Sequence, residues 1–116
     1  MIALRVDADD PTPPYEQLRR QLTDLIGTGA LAAGTRLPSV RQLAADLALA
    51  SGTVARTYRE LEQAGLVRTR RSAGTTVSPS ARRLSAAERS QRLAAIARTA
   101  VHQARLLAVT DDELLS

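Results

Sequence analysis

The sequence predicts a mainly α-helical fold with one small β-hairpin, and three observations support that prediction. Apolar residues recur at helical spacing in successive segments of the 116-residue chain. Two short β-prone runs flank a basic, glycine-containing turn, Arg70 to Gly74, which is the pattern of a hairpin. The chain has no Phe or Trp and only two Tyr, so a small core of aliphatic side chains on packed helices is expected.

The first predicted helix follows a turn-rich lead-in. Thr12 is predicted to cap it, with Pro13 at the first helical position, where the missing N–H costs no hydrogen bond. Gly27 is expected to end it. Before the lead-in, the weak alternation of residues 2–6 predicts a short edge strand. The apolar stripe of the helix comprises Tyr15, Leu18, Leu22, Leu25 and Ile26.

Two further predicted helices, at about residues 39–47 and 52–64, are joined by a tight turn at residues 48–51. The first of them turns four apolar residues inward, Val40, Leu43, Ala44 and Leu47. The second turns Val54, Tyr58 and Leu61 inward. At 100° per residue, its opposite face carries Gly52, Arg56, Arg59 and Gln63.

The predicted hairpin pairs residues 66–69 with residues 75–77. A hairpin directly after two helices joined by a tight turn is the pattern of a winged helix-turn-helix, which we expect to span residues 1–77. Residues 78–84 are rich in Ser, Pro and Arg and are predicted to be a linker.

Residues 85–116 are predicted to form a helical dimerisation segment, with a long Ala-rich helix over residues 85–109. Leu93, Ala100 and Leu107 are seven residues apart, and small alanines between them permit a second helix to approach closely. The predicted dimerisation residues are Leu93, Ile96, Ala97, Ala100, Ala104 and Leu107.

Positive charge is concentrated in the middle of the chain. All 16 basic residues are Arg, and the formal net charge is +4. Residues 38–83 carry eight Arg against three acidic residues, whereas residues 1–37 carry four against five and residues 84–116 carry four of each. Because a surface that meets phosphates must be positive, this distribution favours double-stranded DNA as the partner.

Several other classes of protein are disfavoured. The absence of Cys excludes disulfides and thiolate metal sites. No apolar run approaches the ~18 residues that span a bilayer, and the N-terminus lacks the pattern of a secretory signal, so a cytoplasmic protein is expected. No nucleophile, base and orienting group occur together, and no glycine-rich phosphate loop is visible, so neither an enzyme nor a cofactor is predicted.

The second helix of a helix-turn-helix enters the major groove with polar residues at its N-terminal end. Ser51, Thr53 and Arg56 occupy such positions, and an Arg can donate to both O6 and N7 of guanine. Gly52 permits close approach of the backbone to DNA, and the helix N-terminus favours a phosphate. An alternative for Thr53 is a simple helix cap. An alternative for Arg56 is a solvated charge.

Further candidate DNA contacts lie on either side of this helix. Arg41, near the start of the preceding helix, is a candidate for a phosphate or base contact. Arg59 lies about one turn after Arg56, and it is predicted either to contact DNA or to pair with Glu60 or Glu62. The hairpin contributes Arg70, Arg71, Gly74 and Thr75, of which the two Arg could reach the adjacent minor groove.

These residues resemble the DNA-binding domain of the GntR family of bacterial transcription regulators. The resemblance runs from Pro14 to Val77. It rests on Tyr15-Glu16-Gln17-Leu18, on Gly34-Thr35-Arg36-Leu37-Pro38-Ser39-Val40-Arg41-Gln42-Leu43-Ala44, on Thr53-Val54-Ala55-Arg56-Thr57-Tyr58-Arg59-Glu60-Leu61-Glu62, and on Gly65-Leu66-Val67 and Gly74-Thr75. The short segment after the hairpin is similar to the YtrA-like branch, whose C-terminal helices serve dimerisation.

The resemblance implies DNA contacts at Arg41, Ser51, Thr53 and Arg56 and at Gly74 with its neighbours. Many relatives have Arg where Ser51 and Ala55 stand here, so an operator sequence cannot be transferred. The family implies a homodimeric regulator, most often a repressor, that binds a pseudo-palindromic site. Two questions stay open: whether the domain is instead a protein-interaction module without specific DNA binding, and whether a small-molecule effector binds between the tail helices and the DNA-binding domain.

Overall fold

The computed structural model of the chain describes residues 4–107. Its elements are α1 (Pro14–Gly27), α2 (Val40–Leu47), α3 (Ser51–Gln63), β1 (Val67–Arg70), β2 (Gly74–Val77) and α4 (Ala86–Leu106). Every one of these elements begins within one residue of its predicted start. The chain divides into two compact units, Met1–Arg83 and Leu84–Ser116. The predicted fold class, mainly α-helical with one small hairpin, is confirmed.

The core of the first unit lies where the three helices α1, α2 and α3 meet the hairpin. Each helix contributes residues from the apolar stripe that the sequence predicts, because helical spacing brings those residues to one face. Thr57 is also fully buried, and its hydroxyl donates to the carbonyl of Tyr15 on α1 (3.1 Å). The buried apolar residues are Leu4, Leu18, Leu22, Ile26, Leu31, Leu37, Leu43, Ala44, Val54, Tyr58, Leu61, Val67 and Val77.

The chain before α1 differs from the prediction. The N-cap of α1 is Pro13, which offers no side-chain hydrogen bond, so the predicted cap by Thr12 is wrong. The described residues 4–6 form no strand. Instead, the Gln21 side chain on α1 accepts from the Arg5 N–H (3.0 Å) and donates to the Arg5 carbonyl (2.6 Å). A helix side chain therefore provides the partners that a neighbouring strand would provide, while the earlier part of the predicted strand lies outside the described residues.

The helix-turn-helix consists of α2, a tight turn and α3. The Ser39 hydroxyl caps α2 by accepting from the Gln42 N–H (3.0 Å). In the turn, Ala48 adopts the left-handed conformation, with φ of 55°. Tyr58 of α3 positions the residues that lead into α2, since its hydroxyl donates to the Pro38 carbonyl (2.7 Å). Burial raises the pKa of this hydroxyl to about 12.

Replacement of this hydroxyl gives a first prediction. Tyr58→Phe is expected to lower the free energy of unfolding by about 1–2 kcal/mol, because the Pro38 carbonyl loses its donor in a partly buried site. Urea unfolding followed by circular dichroism measures the change. Tyr15→Phe is the matched control, since no described residue bonds the Tyr15 hydroxyl, and it is expected to cost less than about 0.5 kcal/mol. Equal losses in the two variants would contradict the assigned role of Tyr58.

A third chain segment extends the hairpin into a small three-stranded arrangement. Residues 34–37 run antiparallel to β2 on the edge away from β1. The Leu37 N–H donates to the Thr75 carbonyl (2.8 Å), and the Val77 N–H donates to the Thr35 carbonyl (2.8 Å). The hairpin, which we call the wing, is therefore anchored to the rest of the first unit along the edge of β2 that faces away from β1.

The predicted linker follows the surface of the first unit over much of its length. Ser78 is buried, and its N–H donates to the Leu66 carbonyl (2.9 Å). Ala81 packs against the core. The Arg83 guanidinium lies so close to Gly29 that a Cβ atom there would meet it at 2.6 Å. Most of the predicted linker therefore belongs to the first unit.

The helix α4 begins with a capping box. The Ser85 hydroxyl accepts from the Glu88 N–H (3.1 Å), and the Glu88 carboxylate accepts from the Ser85 N–H (3.2 Å). The helix ends at Leu106, whereas the prediction extended it to residue 109, which lies outside the described residues. None of its residues is buried. Leu93 and Ile96 are 57% and 55% exposed.

Candidate nucleic-acid interface

The recognition helix candidate α3 buries one face and exposes the other. Val54, Thr57, Tyr58 and Leu61 are buried. The residues that the sequence assigns to the opposite face, Gly52, Arg56, Arg59 and Gln63, are all exposed. The apolar spacing therefore gave the orientation of α3 in the domain correctly.

Arg56 is held by partners inside the domain. Its guanidinium carbon lies 3.6 Å from the centre of the Tyr15 ring, and its Nε is 3.3 Å from the Glu60 carboxylate. The side chain is 52% exposed, so it lies at the edge of the surface between α1 and α3. The sequence did not reveal this arrangement, because Tyr15 and Arg56 are distant along the chain. Arg56 is thus turned towards α1 and is not a freely solvated charge.

Arg59 occupies the other edge of the exposed face, beside the wing. It lines a shallow depression with Val40 and Thr75. Neither predicted carboxylate partner bonds to it: Glu60 pairs with Arg56, and Glu62, which lines the same depression, accepts from the Thr69 N–H (3.0 Å). Among the described residues no carboxylate pairs with Arg59, so this guanidinium is open to an external partner.

The start of α3 lacks a side-chain cap. Its N-cap is Ala50, whose side chain cannot accept from the first N–H groups of the helix, and only the Ala50 carbonyl accepts there, from the Thr53 N–H (3.1 Å). The alternative interpretation of Thr53 as the cap is therefore wrong. The exposed Ser51 and Gly52 stand at this uncapped end, where free N–H groups and the helix dipole favour an anion. Arg41 is exposed at the second position of α2.

The wing places its basic residues at and beside the turn. Arg70 is the last residue of β1, Arg71 follows in the turn, and both are exposed. Gly74 has a φ of +69°, a left-handed conformation that favours glycine. The Thr75 hydroxyl lies 3.1 Å from that of Thr69, and both residues line the depression beside α3.

Sequence reasoning missed Arg36. Its guanidinium lies against Gly74 at the wing turn, where a Cβ atom would be 3.3 Å from the Arg36 Nε. The sequence predicts only a plain connection between helices in this segment. No strand signal was present, because Thr35 and Arg36 are both polar and the segment shows no alternation of polar and apolar residues.

The acidic side chains around this surface are already occupied. Glu16 accepts a hydrogen bond from Arg19, which lowers the pKa of the carboxyl, and it also pairs with Arg20 (3.4 Å). Asp46 accepts from the Gln42 side chain (2.8 Å). With eight Arg against three acidic residues over residues 38–83, the segment that contains α2, α3 and the wing keeps a net positive charge.

Metal and membrane sites have no support in the described part of the chain. Over residues 4–107 no group of three His, Asp or Glu side chains could hold a metal ion. None of the described helices combines the length and the apolar character that crossing a bilayer requires. The functional groups at this surface are guanidinium cations and hydroxyl groups, which suit a negatively charged partner.

Comparison with known proteins gives a consistent result. Residues 14–77 match the gntR family of bacterial regulatory proteins. The HTH-type transcriptional regulator Rv1152 of Mycobacterium tuberculosis is 53% identical over 75 residues, which cover 65% of this chain and 62% of that protein. The HTH-type transcriptional repressor YtrA of Bacillus subtilis is 38% identical over 79 residues, 68% of this chain and 61% of that protein. The chain thus matches less than two thirds of either relative's length.

A solved structure agrees with these matches. YtrA from Sulfolobus acidocaldarius, a GntR-family transcription factor, superimposes with a TM-score of 0.61 and 28% identity over 84% of this chain and 97% of that chain. The winged helix-turn-helix with a following C-terminal helix is thereby confirmed as the fold. The proteins of this family are regulators rather than enzymes, as the sequence predicts. The chain belongs to the gntR family of bacterial regulatory proteins and resembles its YtrA-like members.

Proposed function

We propose that this protein is a sequence-specific DNA-binding transcriptional regulator that acts in the cytoplasm as a homodimer and represses its target genes. The observation that carries the proposal is the distribution of charge on the first unit. The exposed Arg41, Arg59 and the Arg side chains of the wing have no carboxylate partner among residues 4–107, whereas the nearby carboxylates are occupied. An unpaired positive surface of this kind suits the phosphates of DNA.

The fold suggests how the contacts are divided. In a winged helix-turn-helix, the second helix enters the major groove and the wing lies at the adjacent minor groove. The uncapped start of α3 would face a phosphate, and Arg59 would face base edges. Arg56 would act through the position of α3. The residues proposed to contact DNA are Arg41, Ser51, Gly52, Thr53, Arg59, Arg70, Arg71, Gly74 and Thr75, and Arg56 is proposed to support these contacts by positioning α3.

The homodimer is proposed from the exposed apolar face of α4. A 21-residue helix without a buried residue gains little from packing within its own chain, and long apolar side chains on one face favour a partner. A second copy offers the same face and, by twofold symmetry, a second recognition helix. Two recognition helices about one turn of DNA apart would read a pseudo-palindromic operator. The proposed contacts are Leu93, Ile96, Ala97, Ala100, Ala104 and Leu107.

Repression and regulation by a ligand are the finer parts of the proposal. Repression is supported by the likeness to YtrA of Bacillus subtilis, which is named a repressor. An effector binding between the tail helices and the DNA-binding domain stays a prediction. Within the first unit, an open groove of about 650 Å³ offers another position, with Arg36 and Asp46 among mostly apolar lining residues.

Binding to bacterial genomic DNA tests the proposal. Fragments selected by the protein are labelled, and fluorescence anisotropy is recorded across a salt series with excess random-sequence duplex. We expect a preference of at least ~10³ for a selected site and an affinity that falls linearly with salt on logarithmic axes. Arg41→Gln should weaken binding, whereas Arg20→Gln, which removes an Arg already paired with Glu16, should change it little.

The alternative function is a winged-helix module that binds another protein and has no specific DNA site. Such a module does not require an outward positive surface on α3 and the wing, and the open Arg59 guanidinium therefore argues against it. The same experiment separates the two functions. Binding that random-sequence competitor erases at every fragment would favour the interaction module over the regulator.

A further inference from the structure

The register of the wing places several Arg side chains in one row. Arg68 of β1 pairs with Thr76 of β2, and on the other edge of β2 Thr76 forms a bridge with Arg36. Residues that pair across antiparallel strands point to the same face of a sheet. Arg36, Thr76 and Arg68 therefore share one face, and alternation along β1 adds Arg70 to it.

The opposite face of the wing is the one that packs against the domain. Val67 and Val77 are paired and buried. Thr69 and Thr75 are also paired, and their hydroxyls lie 3.1 Å apart beside α3. The face with Arg36, Arg68 and Arg70 must then point away from the domain. We call these three residues the outer wing face.

The outer wing face is positive; the nearest acids bonded to it or beside it are Glu62, which accepts from the Thr69 N–H, and Asp46, which shares a groove with Arg36. Residues 34–37 and 67–77 contain no Asp or Glu. Arg36, Arg68 and Arg70 are exposed, and within the described part of the chain none of them forms an ion pair. Strands about 4.8 Å apart place Arg36 and Arg68 roughly 10 Å from each other, with Arg70 about 7 Å beyond Arg68. Three like charges on a rigid sheet favour a polyanion with several charges at similar spacing.

We infer that the outer wing face binds the DNA backbone along the side of the minor groove that is away from α3. This inference rests on the proposed function. A wing that reaches a minor groove has a phosphate strand on each side of it, and the strand on the α3 side meets the face of the wing that is turned towards α3. Arg71 at the turn makes the outer wing face continuous with the proposed DNA surface. Arg36 and Arg68 thus lengthen the footprint beyond the bases that α3 reads.

The contribution is expected to be independent of sequence. Phosphate contacts position a protein on the duplex and carry no base information. The removal of one phosphate contact reduces the slope of log affinity against log salt by about 0.9. Removing both Arg36 and Arg68 should therefore lower the slope by about 2 per protomer and weaken selected and random DNA in equal proportion.

The test uses the full chain with Arg36→Gln/Arg68→Gln, and with Arg20→Gln on α1 as the single-substitution control. Each protein is titrated with a selected genomic fragment and with a random duplex of roughly 30 base pairs, long enough for two half-sites, across a salt series. Circular dichroism verifies folding. We expect a lower slope, about tenfold or more weaker binding to both DNAs, and an unchanged ratio between them. Hydroxyl-radical footprints should show less protection at the outer flanks only.

The inference would be overturned by an unchanged salt slope in the folded double variant, or by a loss of affinity confined to the selected fragment, which would indicate base reading. The failure of the proposed function looks different. In that case the unaltered protein would show no preference for any genomic fragment, while the double variant could still show the lower slope. A lower slope on both DNAs with flank protection unchanged would also count against the outer wing face.

Discussion

Replacing Ala100 by Glu is expected to convert the proposed dimer into monomers and to weaken operator binding by roughly two orders of magnitude. Ala100 lies at the middle of the apolar face of α4, between Leu93 and Leu107. A carboxylate there would be buried without a partner in a helix pair, at a cost of several kcal/mol. A monomer then lacks the second recognition helix, which in the dimer binds at the high effective concentration set by the first. Sedimentation and fluorescence anisotropy measure the two effects.

The adjacent position supplies the control. Thr99→Glu adds the same charge one residue away, and Thr99 is exposed with its hydroxyl bonded to the Ala95 carbonyl of its own helix. A rotation of 100° separates the two positions, so Thr99 lies beside rather than on the apolar stripe. We expect this variant to remain a dimer. A chain truncated after Arg83 should match Ala100→Glu, and a dimer that survives both changes would exclude α4 as the interface.

The fold could be predicted well from the sequence because the patterns that indicate its helices and hairpin involve residues close together in the chain. The apolar spacing of α1, α2 and α3 fixed their buried faces, and the basic hairpin was recognisable from its strands and its turn. The N-terminal lead-in was mispredicted because its hydrogen bonds come from Gln21, a helix side chain far along the sequence. Propensity rules describe neighbours in the chain and do not contain such tertiary partners.

The candidate site was predicted less completely for the same reason. Which residues are exposed on α3 follows from helical geometry, but what each exposed Arg touches depends on other elements. Arg56 has a partner on α1, and Arg36 reaches the wing only because its segment pairs with β2. Neither fact is encoded in the spacing of the motif. The resemblance to the family identified the surface that is proposed to bind DNA. The structure shows which Arg residues on that surface have partners inside the domain.

Arg56 and Arg59 are expected to have opposite phenotypes. Arg59→Ala should reduce specific affinity by about 10- to 100-fold and relax the preference at one base position, because an unpaired guanidinium on the exposed face can donate to a base edge. It should leave the free energy of unfolding within about 0.5 kcal/mol of the parent. Selection from a randomised DNA library measures the preference, and urea unfolding measures the stability.

Arg56→Ala should instead act on the domain. The Tyr15 stacking and the Glu60 ion pair are partly exposed, so together they stabilise the fold by about 1 kcal/mol. We expect this loss in unfolding experiments, a modest loss of affinity and an unchanged base preference. Because Tyr15 holds Arg56, the stability effects of Tyr15→Leu and Arg56→Ala should be less than additive.

The double-mutant cycle of Tyr15→Leu and Arg56→Ala distinguishes base reading by Arg56 from positioning of α3 by Arg56. If Arg56 reads a base, Tyr15→Leu should free its guanidinium and leave the base preference intact, while Arg56→Ala should erase that preference on its own. If Arg56 positions α3, both substitutions should weaken binding through the same loss of order between α1 and α3, and neither should change which base is preferred. The preference would then follow Arg59, the guanidinium of α3 that the domain leaves unpaired.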